Sequence, residues 1–311
     1  MLELDTIDLP EPGPGEALLE QRAIGVNYID TYHRSGLYPL AALPSGIGVE
    51  AAGVVARVGP GVHEVTPGQR VAYVSGAPGA YAEARIIAAA RLIPLPDTVD
   101  DSTAAAALLK GMTVEALIRR VFPVRAGQAV LLHAAAGGVG LLACQWLARL
   151  GARVIATVGS DAKAELARSY GASDVIVYTR EDFPTRVREL TSGAGVPVVF
   201  DSVGKSTFQG SLSCLARRGT LVCFGNASGK PEPFEVQQLA SHGSLFLTRP
   251  TLFDYIATRD ELLASAQALF AVIADGSVRV QIGQTFGLAQ AAGAHEALEA
   301  RATTGSSLLL P

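Results

Sequence analysis

The chain has 311 residues, 49% hydrophobic and 17% charged, with a net charge of −4 and a pI near 5.8. That length exceeds one ordinary core and predicts two domains or one large α/β domain, and the apolar fraction excludes global disorder. The acidic balance gives no footprint for nucleic acid, and no apolar run approaches the roughly 18 residues that a membrane span needs.

Residues 1–105 hold short segments rich in Gly, Pro and Val at 16–20, 53–58, 69–74 and 81–87, with turns at 12–15, 59–61 and 66–68 between them. Short strands with such turns predict an antiparallel β-barrel or sandwich. From 101 to 120 the composition shifts to helix formers. Strand candidates then recur at 130–133, 154–158, 175–178, 197–200, 221–224 and 245–248, with helical stretches such as 163–170, 186–190 and 208–216 between them. This is the spacing of βα units, and six such strands make a complete doubly wound parallel sheet. A long helix is expected over 261–274, and the apolar end 307–310 is expected to return to the first domain as a strand. Cys144, Cys214 and Cys223 sit in apolar segments and read as reduced, packed thiols. With no signal peptide, the expected location is the cytoplasm.

The first strand of the βα series runs into Ala-Ala-Ala-Gly-Gly-Val-Gly (134–140) and then an apolar helix pattern. This is the strand–turn–helix setting of a dinucleotide fingerprint, with Ala135 in place of its first glycine. Gly137, Gly138 and Gly140 permit a tight turn and a close backbone approach, and the N–H groups of the helix start would hold phosphates. A tight turn in an ordinary parallel sheet is the competing reading, and the six-strand series weighs against it. The next strand ends in Gly159-Ser-Asp-Ala-Lys163. An acidic group there favours NADH, whereas a small open turn with a nearby ammonium favours NADPH. Asp161 sits late for a ribose and is expected to cap the helix, a role Ser160 competes for, while Lys163 could be a solvated helix residue. The expectation is NADPH. The five histidines are scattered and none pairs with a cysteine, so no zinc site is expected, and His133 reads as a buried core histidine. No Gly-x-Ser-x-Gly follows a strand. That leaves hydride chemistry, performed by the cofactor and positioned by the protein.

Several stretches carry a family resemblance: 22–39, 48–53, 109–113, 133–146, 200–204, 223–229, 247–250 and 301–307. In that order the chain resembles the zinc-free, zeta-crystallin-like quinone oxidoreductases of the medium-chain dehydrogenase/reductase superfamily. The resemblance implies an α/β fold in which a Rossmann doubly wound parallel sheet (114–249) is inserted into a GroES-like β-barrel catalytic domain (1–113 and 250–311). Where zinc-dependent relatives carry metal ligands, this chain has Asn27 and Val49-Glu50. The resemblance further implies that Asn27, Tyr28, Ile29, Asp30, Thr31 and Tyr32 border the nicotinamide, and that Gly138 and Val139 meet the pyrophosphate. Ser160, Lys163 and Tyr178 would surround the 2′-phosphate, with Ser202 on the adenosine side. Phe224, Gly225, Asn226, Arg249, Pro250 and Thr251 would line the nicotinamide half, with Arg301 and Lys110 as further cofactor contacts. Tyr32 and Tyr38 would face the substrate, unless they are merely packed in a Pro/Gly loop.

Two departures stand out. Relatives carry a strand with a Gly-Gly-Pro turn ahead of the position of Met1, which leaves a late start or a barrel without that edge strand. They also carry a Tyr where Glu115-Ala116 stands. The implied activity is NADPH-dependent quinone reduction by a homodimer paired through the last sheet strand (244–249), with no membrane or nucleic-acid partner. An NADPH-dependent 2-alkenal or enoyl reductase, in which Tyr32 or Tyr38 delivers a proton to carbon, is the rival enzyme. An RNA-binding or crystallin-like role is the rival class, and the acidic pI counts against it.

Overall fold

The computed structural model describes residues 2–311. Contacts divide the chain into two units: one gathers the chain up to Met112 with Tyr255–Asp275 and Val280–Pro311, and the other holds Thr113–Asp254 with Gly276–Arg279. The elements in chain order are β1 (Glu16–Val26), α1 (Tyr28–Ser35), β2 (Glu50–Val58), β3 (Arg70–Val74), β4 (Ala84–Ala88), β5 (Leu92–Pro94) and α2 (Asp101–Glu115). The nucleotide-type series follows: β6 (Ala129–Leu132), α3 (Gly138–Arg149), β7 (Arg153–Val158), α4 (Asp161–Ser169), β8 (Asp174–Val177), α5 (Phe183–Leu190), β9 (Val196–Asp201), α6 (Phe208–Cys214), β10 (Leu215–Cys223), α7 (Gln237–Ser241), β11 (Phe246–Thr248) and α8 (Leu252–Tyr255). The chain closes with α9 (Arg259–Ala274), β12 (Ile282–Gly287), α10 (Ala291–Glu299) and β13 (Ser306–Leu310).

The first unit is built on a seven-stranded sheet in the order β12-β13-β1-β2-β3-β5, with β4 also paired to β1. β1 is its spine. It pairs with β2 from Ala17 to Ile24, with β4 from Glu16 to Glu20 and with β13 from Ile24 to Val26, and register shifts at Leu18/Leu19 and Gln21/Ala23 bend it. Bulges of this kind increase local twist and let one strand serve two sets of partners. Buried Gln21 fills the second bulge, donating to Ala80 O (2.8 Å) and accepting from Tyr73 Oη (2.6 Å). The core under this sheet includes Leu19, Ile24, Val55, Tyr73, Leu92 and Leu309.

The second unit is a six-stranded sheet in the order β11-β10-β9-β6-β7-β8, with every pair parallel. The order reverses at β6, so right-handed crossovers send helices to opposite faces. Leu131, Ile155, Val199, Leu212 and Leu221 belong to its core. All six expected strands are present, and the C-terminal strand returns to β1 as expected. Two expectations are corrected. The helix expected over 208–216 stops at Cys214, because 215–219 begin β10 and then bulge, with Arg218 at φ 61° before pairing resumes at Thr220. The helix expected to reach Arg120 loses α geometry after Glu115 and continues over Ala116–Val121 as a π-helical stretch. Short apolar runs such as Leu215-Ala216 carry no period long enough to separate helix from strand. Among the described residues, no helix is long and apolar enough to cross a membrane.

Leu309 is fully buried where β13 seals β1, so its side chain reports on the C-terminal return. Leu309→Ala should destabilise the protein by about 3 kcal/mol through lost burial and a residual cavity. Urea unfolding followed by circular dichroism checks it, with a shifted midpoint and an unchanged slope as the expected result.

Candidate active site

A parallel sheet delivers the residue after every strand to the same edge, and twelve of the expected site residues lie there in the second unit. After β6, Ala134 takes a left-handed conformation (φ 54°), which for a residue with a Cβ costs of order 1–3 kcal/mol and marks a constrained turn. Ala135 N–H then donates to Thr157 O (3.1 Å), and the chain turns into α3 at its N-cap, Gly137. Gly140 passes so close to the backbone of Ala134 and Ala135 that a Cβ would overlap it. Gly138 and Val139 occupy the first turn of α3, which has no acidic residue and no side-chain cap. This helix start is free to take an anion through its N–H groups and the positive end of its dipole.

After β7, Ser160 caps α4 by accepting from Lys163 N–H (3.4 Å). The cap expected of Asp161 is therefore corrected. At the first helical position its carboxylate points away from the orphan N–H groups and pairs instead with Arg180 (2.6 Å). That guanidinium holds the Asp161 carboxyl below the usual range. Tyr178, exposed at the end of β8, lies over Gly159, where a Cβ would come within 2.8 Å of the phenol oxygen. Lys163, Ser160 and Tyr178 are thereby gathered around one turn. Ser202 follows β9, and Phe224, Gly225 and Asn226 follow β10. Phe224 N–H donates to Asp201 O (2.8 Å) and Ala227 N–H to Ser202 O (3.1 Å), which zips the two turns together. Arg249, after β11, donates to Gly225 O (3.2 Å), and Asn226 accepts from it (3.2 Å) when its amide faces the matching groups. Pro250 and Thr251 continue from Arg249.

In the first unit, Asn27 stands at the N-cap of α1, and the Asp30 side chain accepts from Asn27 N–H (2.8 Å), which fixes the helix start. Ile29 and Thr31 share that first turn. Tyr28 donates to Leu298 O (2.9 Å), the same carbonyl that accepts Arg301 N–H (3.1 Å), so α1 and the turn after α10 meet. Tyr32 and Tyr38 form an edge-on pair with ring centroids 5.1 Å apart, and Tyr28 stands 6.2 Å from Tyr32. Lys110 is buried and bonded to fully buried Glu50 (3.3 Å), whose carboxylate also accepts from Asn27 Nδ2 (2.8 Å) and Leu109 N–H (2.5 Å). Zinc does not fit this donor set. Asn27 offers an amide, and the Glu50 oxygens are taken by an ammonium, an amide and a backbone N–H.

Two clusters carry polar groups that sequence reasoning missed. Asp30 Oδ2 also accepts from Tyr81 Oη (2.9 Å), which lies 2.9 Å from His295 Nε2. Burial pushes the Asp30 carboxyl up to about 7 and the His295 imidazole down to about 4. Asp30 Oδ1 and His295 Nδ1 are buried without a partner. In the second unit, Asp201, Ser211 and Thr157 surround His133. No motif signals either cluster, because their members lie up to hundreds of residues apart.

A GroES-like barrel unit with a doubly wound sheet in the middle of the chain defines a medium-chain dehydrogenase/reductase. Residues 13–97 match the family described as alcohol dehydrogenase GroES-like domain, and residues 138–265 the one described as zinc-binding dehydrogenase. The chain is 51% identical to a quinone oxidoreductase of Pseudomonas aeruginosa over 100% of its own length and 96% of that protein's. It is 44% identical to a 2-haloacrylate reductase of a Burkholderia species, over 99% of this chain and 94% of that one. The crystal structure of Escherichia coli quinone oxidoreductase complexed with NADPH superposes with a TM-score of 0.96 at 47% identity, covering 100% of this chain and 95% of that one. The chain belongs to the quinone oxidoreductase family of this superfamily.

The Asp30 shift sets a pH dependence. The folded protein keeps the Asp30 proton to about pH 7, whereas an unfolded aspartate releases it near pH 4. This contribution to stability is fully present below the unfolded value and is lost as pH rises through the folded one. His295, neutral when folded, contributes in the opposite direction, present above its unfolded value and lost as pH falls towards 4. Asp30→Asn should therefore gain on the wild type by about 2–4 kcal/mol as pH rises from 4 to 7. Urea midpoints across that range measure it, and a difference that stays constant would mean that Asp30 is ionised throughout.

Proposed function

We propose that this chain reduces quinones with NADPH, without a metal. The observation that carries this reading is the convergence, at one sheet edge, of an uncapped helix start and a turn bearing Lys163 whose Asp161 carboxylate is paired with Arg180. Gly138 and Val139 hold the pyrophosphate on the α3 N–H groups. Ser160, Lys163 and Tyr178 bind the 2′-phosphate, which an unpaired Asp161 would repel. Ser202 takes the adenosine side. In the second unit, Phe224, Gly225, Asn226, Arg249, Pro250 and Thr251 serve the nicotinamide half. In the first unit, the family resemblance assigns cofactor contacts to Asn27, Tyr28, Ile29, Asp30, Thr31, Tyr32, Lys110 and Arg301.

Bound NADPH supplies the reducing equivalents. The edge-on pair Tyr32 and Tyr38 offers aromatic faces to a flat quinone. The product oxygens take their protons from water, so no general acid is required of the protein. The Asn27–Glu50–Lys110 cluster supports metal-free chemistry, since both Glu50 oxygens already accept hydrogen bonds.

The chain works as a homodimer in this reading. β11 is the outer strand of the parallel sheet, and Phe246 on it is 61% exposed, an edge that a two-fold mate would cover. Three buried free thiols suit the reducing cytoplasm.

Steady-state rates with 1,4-benzoquinone and with 2-alkenals, each with NADPH and NADH, test the assignment. Quinone reduction preferring NADPH is expected, and reduction of alkenals alone would overturn it. Lys163→Ala should raise KM for NADPH by about tenfold, the worth of one charged hydrogen bond, and leave NADH nearly unchanged. Equal losses would make Lys163 a surface residue. Phe246→Asp should convert the dimer to a monomer in sedimentation velocity, and an unchanged dimer would move the interface elsewhere.

A further inference from the structure

Below the strand ends of the second unit runs a closed polar chain that the proposed chemistry does not use. Thr157 Oγ1 lies 2.8 Å from His133 Nδ1, His133 Nε2 lies 3.0 Å from Ser211 Oγ, and Ser211 Oγ lies 2.8 Å from Asp201 Oδ2. All four residues are buried, His133 to 1% exposure and Asp201 and Ser211 fully. Proton bookkeeping allows one direction only. A carboxylate accepts, so the single Ser211 proton goes to Asp201, and the Ser211 oxygen must then accept from His133 Nε2–H. Nδ1 is left as an acceptor and takes the Thr157 hydroxyl proton. The imidazole is neutral, in keeping with the burial that pushes its pKa down.

Each end of this chain grips a cofactor-side turn. Thr157, through its carbonyl, accepts the Ala135 N–H of the glycine-rich loop, and His133 is the residue from which that loop departs. Asp201 Oδ1 accepts from Val203 N–H (2.8 Å), Gly204 N–H (3.0 Å) and Thr207 Oγ1 (2.9 Å), folding the turn that carries Ser202. Its backbone carbonyl holds Phe224 N–H. The ends of β6, β7 and β9 are thus linked to one another and to α6 through buried side chains, and backbone hydrogen bonds carry that linkage to Ala135 of the glycine-rich loop and to Phe224 after β10. We infer that Thr157, His133, Ser211 and Asp201 are positioning residues that hold the glycine-rich loop and the Ser202 turn in their cofactor-ready arrangement. A buried network with every member satisfied fixes one geometry, and breaking any link leaves an orphaned donor or acceptor that the loops must move to relieve.

The inference rests on the NADPH reading only for its binding arm, so the test has two arms on the full-length protein. His133→Phe keeps the ring stacked edge-on against Phe183 (5.0 Å) and removes both hydrogen bonds, while His133→Gln can restore a donor towards Ser211 and an acceptor towards Thr157. Without cofactor, hydrogen exchange of the Ala135 amide should accelerate about tenfold in His133→Phe, the equilibrium equivalent of one unsatisfied buried donor, and return towards wild type in His133→Gln. With NADPH followed by its fluorescence, Kd should rise about tenfold in His133→Phe while kcat at saturating NADPH stays within about twofold. Should His133→Phe fail to fold, Ser211→Ala and Thr157→Val each remove one link and carry the same expectation. A lower melting temperature with Ala135 exchange and NADPH affinity unchanged overturns the inference and makes the chain ordinary core. Wild-type protein that does not bind NADPH overturns the functional reading instead, and the exchange arm still decides the inference.

Discussion

Everything placed at the candidate site of the second unit depends on one constraint, the parallel pairing of β6 with both β7 and β9. Parallel strands joined by right-handed crossovers must all finish on the same edge, so residues as far apart in sequence as Gly138 and Thr251 arrive at one edge without any direct attraction. The edge where strands end is also where helices start, and helix starts expose N–H groups. An anion-binding surface is therefore a by-product of the topology. What the sequence adds locally is permission. Gly140 lets α3 close on the loop, and Gly225 lets the turn after β10 lie against Ser202, where a Cβ would collide.

Each unit commits a buried carboxylate to the job of aligning elements. Glu50 ties β2 to the start of α1 through Asn27 and to α2 through Leu109 and Lys110. Asp201 ties β9 to its own following turn and to α6. A buried ion pair is a poor source of net stability, because desolvation offsets most of the Coulomb gain. Its use here is geometric. A carboxylate with two oxygens and several lone pairs accepts from three or four groups at once, so one residue fixes several elements relative to each other. Apolar packing would tolerate small slips between the same elements, whereas charge-assisted hydrogen bonds do not.

The fold was largely legible in the chain, because its signals are periodic. Six apolar strands at βα spacing need no knowledge of their partners, and the apolar end at 308–309 announces a buried strand without saying which one it joins. The glycine-rich loop was legible for the same reason, since strand, turn and helix are consecutive. The networks were not legible. Nothing about Ser211 distinguishes it from a solvated helix serine until α6 lays it against His133, 78 positions earlier. Asp161 misled in the opposite sense, as a plausible local cap whose partner, Arg180, comes from the turn after the next strand. Local chemistry reads well wherever both partners lie within one turn, and poorly wherever a crossover brings them together.

The family resemblance sets Asn27 and Glu50 where zinc-dependent relatives hold metal ligands, and the physical demands of such a position without an ion are plain. A divalent cation contributes positive charge and fixes ligand directions. Removing it while keeping an acidic residue would leave a buried, uncompensated carboxylate, which costs several kcal/mol. In this chain the Lys110 ammonium and the Asn27 amide both donate to Glu50, which compensates its charge. An ammonium bonded to Glu50 neutralises charge but offers no open coordination position to polarise an alcohol or carbonyl. Such a site can orient and shield a reaction, and the driving force must come from a reductant and an acceptor that need no Lewis acid. Quinones meet that condition, because their electrons are accepted into a conjugated ring whose oxygens are protonated from solvent.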